Sequence, residues 1–354
     1  MNCSSCRPIY PKEGQGTLYL RPVSPALLEA LQTIGRHVEY SEKVLWFHYT
    51  DVNELQDRIE EIIYIEDTLS ISLTVQMRST VDMLMGELEG EWISLSMQHS
   101  RIKHADTVTT ILKRQFSSYM QPIVDASEKI IGFEFLLRPA EHGRAFGSFE
   151  LFEVARKTGL HSFLDRTARI TAIETSAKYL PCGVKRFINF LPSSIYNPEY
   201  CLTHTFEAID RFSLDPRDFV FEVVETEQIQ HLSMLQRIFE IYRSRGMSVA
   251  LDDVGAGYST IELMNRLEPD FIKIDRSLID HCDQDRTKQQ KILTIVHASN
   301  RFGGKVLAEG IERFEEFDFC RSVGIDLAQG YYFGKPAAHP PNGPYLGSEY
   351  RAVK

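Results

Sequence analysis

Two adjacent carboxylates, Asp252 and Asp253, close an apolar run that opens at Ser248. Further along, a second apolar run closes on Lys273 and Asp275, and between them lie Gly255, Gly257 and a short amphipathic segment. Paired carboxylates with a lysine nearby suit a divalent metal and an anionic substrate. Two strands that each end in charge, joined by a glycine loop and a helix, place such a site at the C-terminal edge of a parallel sheet. In α/β barrels that edge carries the chemistry.

Other apolar runs are interrupted in the same way. Glu134 lies inside IIGFEFLLR, Asn189 inside RFINFLP and Glu222 inside FVFEVVE. Glu309 ends KVLAEG, and Gln329 follows the last apolar pair in LAQG. A single unpaired carboxylate buried in a strand is costly, and each alone is open to explanation by a salt bridge or a cap. Five carboxylates with Asn, Lys and Gln at the ends of successive strands are hard to explain one at a time. Their repulsion would reach several kcal/mol at low effective dielectric, and divalent cations relieve it. All-oxygen ligation selects Mg²⁺, Mn²⁺ or Ca²⁺ over zinc or copper. Adjacent aspartates can serve two ions, an arrangement suited to attack by water on a phosphodiester. Lys273 would offset charge on a phosphoryl oxygen or orient the water, and Arg138 would grip a second phosphate.

The elements that must position these residues form two regions. From about residue 117, strands alternate with helices. Strands are predicted at Ile130–Leu137, Val184–Leu191, Phe219–Val224 and Lys305–Ala308, with a short last strand near Leu327. Helices are predicted at Phe149–Gly159, Gln228–Arg245, Thr287–Asn300 and Glu312–Val323. Seven or eight such units over about 220 residues fit a (β/α)₈ barrel better than an open doubly wound sheet. No G-x-G-x-x-G follows the first strand, which weakens a dinucleotide-binding alternative. Residues 1–115 read as a small α+β region, regulatory by default. Ser24-Pro25 opens a helix striped by Leu27, Leu28, Leu31 and Ile34 with Gly35 as its stop. Leu69, Ile71, Leu73 and Val75 alternate as a strand, Met77–Leu88 reads as a helix, and Thr107–Phe116 as a linker helix. Trp92 and the histidines His37, His48, His99 and His104 read as packing or surface residues. Residues 339–354, rich in Pro and Gly, read as a loosely ordered tail.

The chain has 354 residues, 43% hydrophobic and 25% charged, which is ordinary for a globular protein. A net charge of -10 argues against binding a nucleic-acid polymer, which needs a basic footprint. No apolar run approaches the roughly 18–20 residues of a spanning helix, and no signal peptide opens the chain, so a cytoplasmic protein without membrane insertion is expected. Cys182, Cys201, Cys282 and Cys320 stand alone, as reduced thiols do. Cys3 and Cys6 form a C-x-x-C pair, half a zinc site or a redox pair, with no second pair to complete four ligands.

These motifs also carry a family resemblance. YMQPIVDASEKIIGFEFLLR, INFLPSS, FEVVETE, LDDVGAGYSTIELMNRLEPDFIKIDRSLI, VLAEGIE and AQGYYFGKP follow one another between residues 117 and about 338. In order and spacing they resemble the EAL domain, the bacterial cyclic-di-GMP phosphodiesterase, with the signature triplet Glu134-Phe135-Leu136. The resemblance implies a modified barrel over residues 116–338 with one antiparallel strand, commonly dimeric. It implies hydrolysis of cyclic-di-GMP to linear 5′-pGpG by a metal-activated water. Two ions, Mg²⁺ or Mn²⁺, are implied, with Ca²⁺ inhibiting. Metal ligation falls to Glu134, Asn189, Glu222, Asp252 and Asp253. Lys273 is implied to contact water or phosphate, Glu309 to act as general base and Gln329 to hold the water. Arg138, with Glu134 and Leu136, is implied to face the substrate. Glu225 and Glu312 match acidic positions that steady the loop after Asp253 and the metal site.

The chain departs from the family at Phe135, where Ala is usual, at Val224 for Thr, at Val254 for an aromatic and at Ala256 for Thr. None of these removes a charged residue. An alternative keeps the binding and loses the reaction: a catalytically inactive cyclic-di-GMP receptor whose N-terminal region signals. A purely structural module would not need the charge cluster.

Overall fold

A computed structural model describes residues 14–34, 38–79, 92–223, 232–255 and 260–341. The chain divides into two compact units, the first made of residues 1–115 with 143–164, the second of residues 116–142 with 165–354. Expectations for Cys3, Cys6, Gly35, His37, Val224, Glu225, Ala256, Gly257 and the tail beyond residue 341 lie outside the described residues.

In the first unit, β1 (Gly16–Arg21), β2 (Glu39–Tyr40), β3 (Leu45–Tyr49), β4 (Thr74–Ser79) and β5 (Ile93–Ser94) form an antiparallel sheet in the order β2-β3-β1-β4-β5. Helices Pro25–Thr33 and Val52–Leu69 share its core, with Leu27, Leu31, Leu55, Ile59 and Ile62 clustered with Leu18, Leu20, Phe47 and Val75. Ser24 caps the first helix as the sequence predicts, its side chain accepting from the Leu27 amide at 3.2 Å. The predicted strand from Leu69 is corrected. Leu69 closes a helix whose stripe runs Leu55, Ile59, Ile62 and Ile65, Ser70 caps it in the left-handed region at φ 50, and the strand starts only at Thr74. Alternation over a few residues cannot be told from the end of a helical stripe followed by a turn. Met77 lies in β4 rather than in a helix, and residues 80–91 are not described. The linker helix spans Ala105–Leu112, and Phe116 opens a strand instead. Helix Ser148–Lys157 buries Leu151, Val154 and Ala155 within this first unit. Arg21 stacks over Trp92 at 4.1 Å and His48 bonds Thr17 at 2.8 Å, packing roles as expected.

The second unit is a closed barrel in the order β10-β11-β12-β13-β6-β7-β8-β9. Its strands are β6 (Phe116–Asp125), β7 (Ile130–Pro139), β8 (Lys185–Phe190), β9 (Phe219–Val223), β10 (Ser248–Val254), β11 (Phe271–Ile274), β12 (Lys305–Ala308) and β13 (Leu327–Gln329). β6 runs antiparallel to both neighbours, β7 and β13, and the remaining pairs are parallel. The β6–β7 turn forms because the Asp125 side chain accepts from the Ser127 and Lys129 amides at 2.8 and 3.0 Å. Ile123, Phe187, Val220, Ala250, Phe271, Leu307 and Leu327 pack together as one apolar layer inside the barrel. A larger cluster joins the outward faces of the strands to helices such as Leu232–Ser244 and Arg286–Ser299. Among the described residues no helix is long and apolar enough to cross a membrane.

Candidate active site

Strand periodicity fixes where the site sits. Successive side chains alternate, so the residue two beyond an inward one is inward again. Two residues past the apolar layer come Asn189 on β8, Glu222 on β9, Asp252 on β10, Lys273 on β11, Glu309 just past β12 and Gln329 on β13. On the antiparallel β6 the count runs backwards, from Ile123 to Gln121. Gln121 lies directly opposite Glu134 of β7 in register. Each of the eight strands thus lends one polar side chain to a ring stacked on the apolar layer.

Lys273 stands at the centre of that ring, only 1% exposed. Its ammonium nitrogen lies 2.6 Å from Glu309, 3.0 Å from Asp252, 3.1 Å from Glu222 and 3.5 Å from Glu134. Asn189 and Gln329 each donate to Glu134, at 3.0 and 2.7 Å. Burial works to raise the Glu134 carboxyl, but the Lys273 charge and those two donors outweigh it and hold it low. The other carboxylates go the opposite way. Burial pushes Glu222 and Glu309 well up, and Asp252 up, against the pull of Lys273. Burial and then the Asp252 charge push Asp253 up to about 7. Lys273 itself is held well above the usual lysine range: burial opposes this, and the surrounding carboxylates win.

Asp253 adopts the left-handed backbone region at φ 53, where a non-glycine residue is strained. Its amide donates to the Asp252 side chain at 3.0 Å. One ligand atom each from Asp252, Asp253 and Glu309 fall within 4.8 Å of one another. The Glu222 Oε1 and Gln329 Oε1 acceptors are buried without a hydrogen-bond partner among the described residues. With the four ring carboxylates and Asp253 all ionised against one ammonium, the site would carry four surplus negative charges, and its potential ligand atoms are carboxylate or amide oxygens. A divalent cation fits that set.

The remaining candidates stand apart. Arg138 is on the same face of β7 as Glu134, four residues or about 13 Å along the strand, and its guanidinium donates to the Leu137 carbonyl at 2.8 Å. Leu136 lies half-buried between them. Glu312 pairs with Arg276 at 2.7 Å on the surface. The methylenes of Arg276 press on Gly310, beside Glu309. A Cβ at Gly310 would come within 2.3 Å of Arg276, and its φ of 70 also demands glycine. Phe135 is buried and packs outward into the larger core, away from Glu134 as its strand position predicts, and Val254 is fully buried in the same cluster. Two residues near the site went unassigned in the sequence. Asp275, which adds to the repulsion on Asp253, accepts from the Ser277 amide at 2.9 Å. Gln121 was hidden by the reversed direction of its strand.

A closed barrel with a charged ring at one end of its strands is the architecture of an α/β-barrel enzyme. The EAL domain family matches residues 104–336, and the chain belongs to that family. The probable cyclic di-GMP phosphodiesterase PdeG of Escherichia coli K12 is 29% identical over 248 residues, 66% of this chain and 48% of that protein. A standalone versatile EAL protein from Vibrio cholerae O395, solved in its c-di-GMP bound form, is 32% identical, with a TM-score of 0.58 over 64% of this chain and 94% of its own. The calcium/cy-diGMP complex of Klebsiella pneumoniae BlrP1, 21% identical, covers 91% of this chain and 96% of its own at a TM-score of 0.58, a likeness of fold. The chain spans about half the length of the curated relatives it matches.

Proposed function

We propose that this chain hydrolyses cyclic-di-GMP to linear 5′-pGpG with the help of divalent cations. The observation that carries the reading is the ring itself: four carboxylates around one lysine, with Asp253 beside them and a Glu222 oxygen buried without a hydrogen-bond partner among the described residues. Glu134, Asn189, Glu222, Asp252 and Asp253 would hold Mg²⁺ or Mn²⁺. Bound there, the cations supply a lowered water pKa and charge for the phosphoryl oxygens. Water adds to phosphorus and the P–O3′ bond breaks, leaving a 5′-phosphate and a free 3′-hydroxyl. Glu309, whose carboxyl burial pushes well up, is suited to accept the proton of that water. Gln329 orients the water from beside Glu134, Lys273 offsets phosphoryl charge, and Arg138 takes the second phosphate at the mouth. The relatives named for cyclic-di-GMP support the substrate. Assembly as a homodimer belongs to the same reading and rests on the family resemblance.

Purified protein with cyclic-di-GMP and Mg²⁺ or Mn²⁺ is expected to yield pGpG, resolved chromatographically. Measurable binding with no pGpG under either metal would replace this reading with that of a silent receptor. Ca²⁺ is expected to permit binding and not turnover, since its larger and looser shell positions water poorly.

Cation affinity should also depend on pH. A carboxyl raised to about 7, as in Asp253, keeps its proton over the range where an unfolded aspartate, near 4, has lost it. The contribution of Asp253 to the stability of the metal-free protein therefore falls as pH rises from about 4 to about 7, and a cation must displace that proton. Mn²⁺ affinity, measured by calorimetry, is expected to climb through pH 5–7 and level off above it. A flat profile would mean that Asp253 does not meet the ion.

A further inference from the structure

Seven members of the polar ring are accounted for in the proposed reaction; the eighth, Gln121, is not. Its side chain points into the barrel opposite Glu134 and is 8% exposed. Its amide Nε2 donates to the Gly334 carbonyl at 3.2 Å. The next residue, Pro122, presses on Gly334 itself, where an added Cβ would lie 2.9 Å from the proline Cγ. The preceding residue, Met120, exchanges both backbone hydrogen bonds with Ala337, at 2.8 and 3.0 Å. Three consecutive β6 residues therefore grip one end of the segment that follows Gln329.

The other end is held as firmly. The Ile311 amide donates to the Gln329 carbonyl and the Tyr332 amide to the Ile311 carbonyl, each at 3.0 Å. Within this second anchor, Tyr331 and Tyr332 are 53% and 41% exposed just past the ring. We infer that Gln121 is a positioning residue: it fixes the segment after Gln329 as one wall of the barrel mouth and so sets how tightly the nucleotide is held. The inference rests on the cyclic-di-GMP reading. Its backbone anchors keep the segment attached without Gln121, so the effect falls on the segment's placement rather than on folding.

The test measures cyclic-di-GMP affinity by calorimetry in Ca²⁺, Mn²⁺ affinity without nucleotide, and the kinetic constants. Gln121→Met keeps the length and removes the donor. It is expected to weaken nucleotide affinity and raise KM about fivefold, the factor one net hydrogen bond supplies, with kcat and Mn²⁺ affinity within about twofold of the parent. Gln121→Glu, a second variant should the first fold poorly, removes the same donor and adds a charge that repels an anionic ligand, so it is expected to lose more. Nucleotide affinity unchanged in both variants overturns the inference, as does an equal loss of Mn²⁺ affinity, which would make Gln121 part of the ring's scaffold. If the parent protein binds no cyclic-di-GMP, the functional reading fails instead.

Discussion

Lys273→Met is expected to destabilise the metal-free protein by about 3–5 kcal/mol, the cost of removing one partner from a buried ion pair. Here one ammonium serves four carboxylates at 2.6–3.5 Å, and none of them has a second cation among its described ion pairs. Without it, Glu222, Glu309 and Asp252 face one another across a nearly dry interior, and their cheapest escape is to take up protons. A carboxyl raised in the folded state costs stability increasingly as pH rises from its unfolded value near 4 towards its folded value. The loss is therefore expected to be larger at pH 8 than at pH 5. Mg²⁺ or Mn²⁺ should restore much of it, because a cation replaces the missing charge. Urea unfolding in EDTA and in Mg²⁺ at both pH values measures this. A variant as stable as its parent in EDTA at pH 8 would show that the carboxylates do not depend on Lys273.

Turnover is expected to fall by about 10²–10³ in Glu134→Gln. Removing a single well-placed electrostatic group in a buried site costs of that order. The substitution preserves shape and deletes the charge. Glu134 is the ring carboxylate held low, accepting from Asn189, Gln329 and Lys273 at once. A glutamine amide can accept through one oxygen only, so its NH₂ must turn towards one of those donors. Mn²⁺ affinity is expected to drop tenfold or more alongside kcat. A kcat within tenfold of the parent would mean that Glu134 is not part of the reacting centre.

The barrel was legible because each parallel strand is a short apolar run broken near its end by one polar residue; Lys305–Ala308 was read to the residue. The same pattern exposed the parallel-strand members of the ring. Helix His161–Tyr179 was not foreseen. Asp165, Thr167, Arg169 and Ser176 are all buried on it, so the apolar stripe of Leu164, Ala172 and Ile173 is interrupted where periodicity would look for it. Asp165 is used internally: it accepts from the Leu191 amide at 2.9 Å and Ser194 Oγ at 2.6 Å, and pairs with Arg169 at 3.2 Å. That network secures the turn after β8, which carries Asn189. Gln121 escaped for a geometric reason, since on an antiparallel strand the polar residue precedes the apolar ones. The backbone of Asp253 escaped for another: aspartate tolerates the left-handed region better than most residues, but its position at the end of an apolar strand pattern reads as extended.

The first compact unit takes in helix Ser148–Lys157, which follows the β6–β7 hairpin in sequence. Arg101 donates to the Thr158 carbonyl at 2.8 Å, and Met97 lies against Gly159. The border between the units is therefore crossed three times by the chain, not once. A fragment started at Phe116 would keep every ring residue and still leave Leu151, Val154 and Ala155 stripped of their neighbours. Genetic exchange of the N-terminal region as a cassette meets the same obstacle: a recombination joint at residue 115 separates surfaces that must be inherited together.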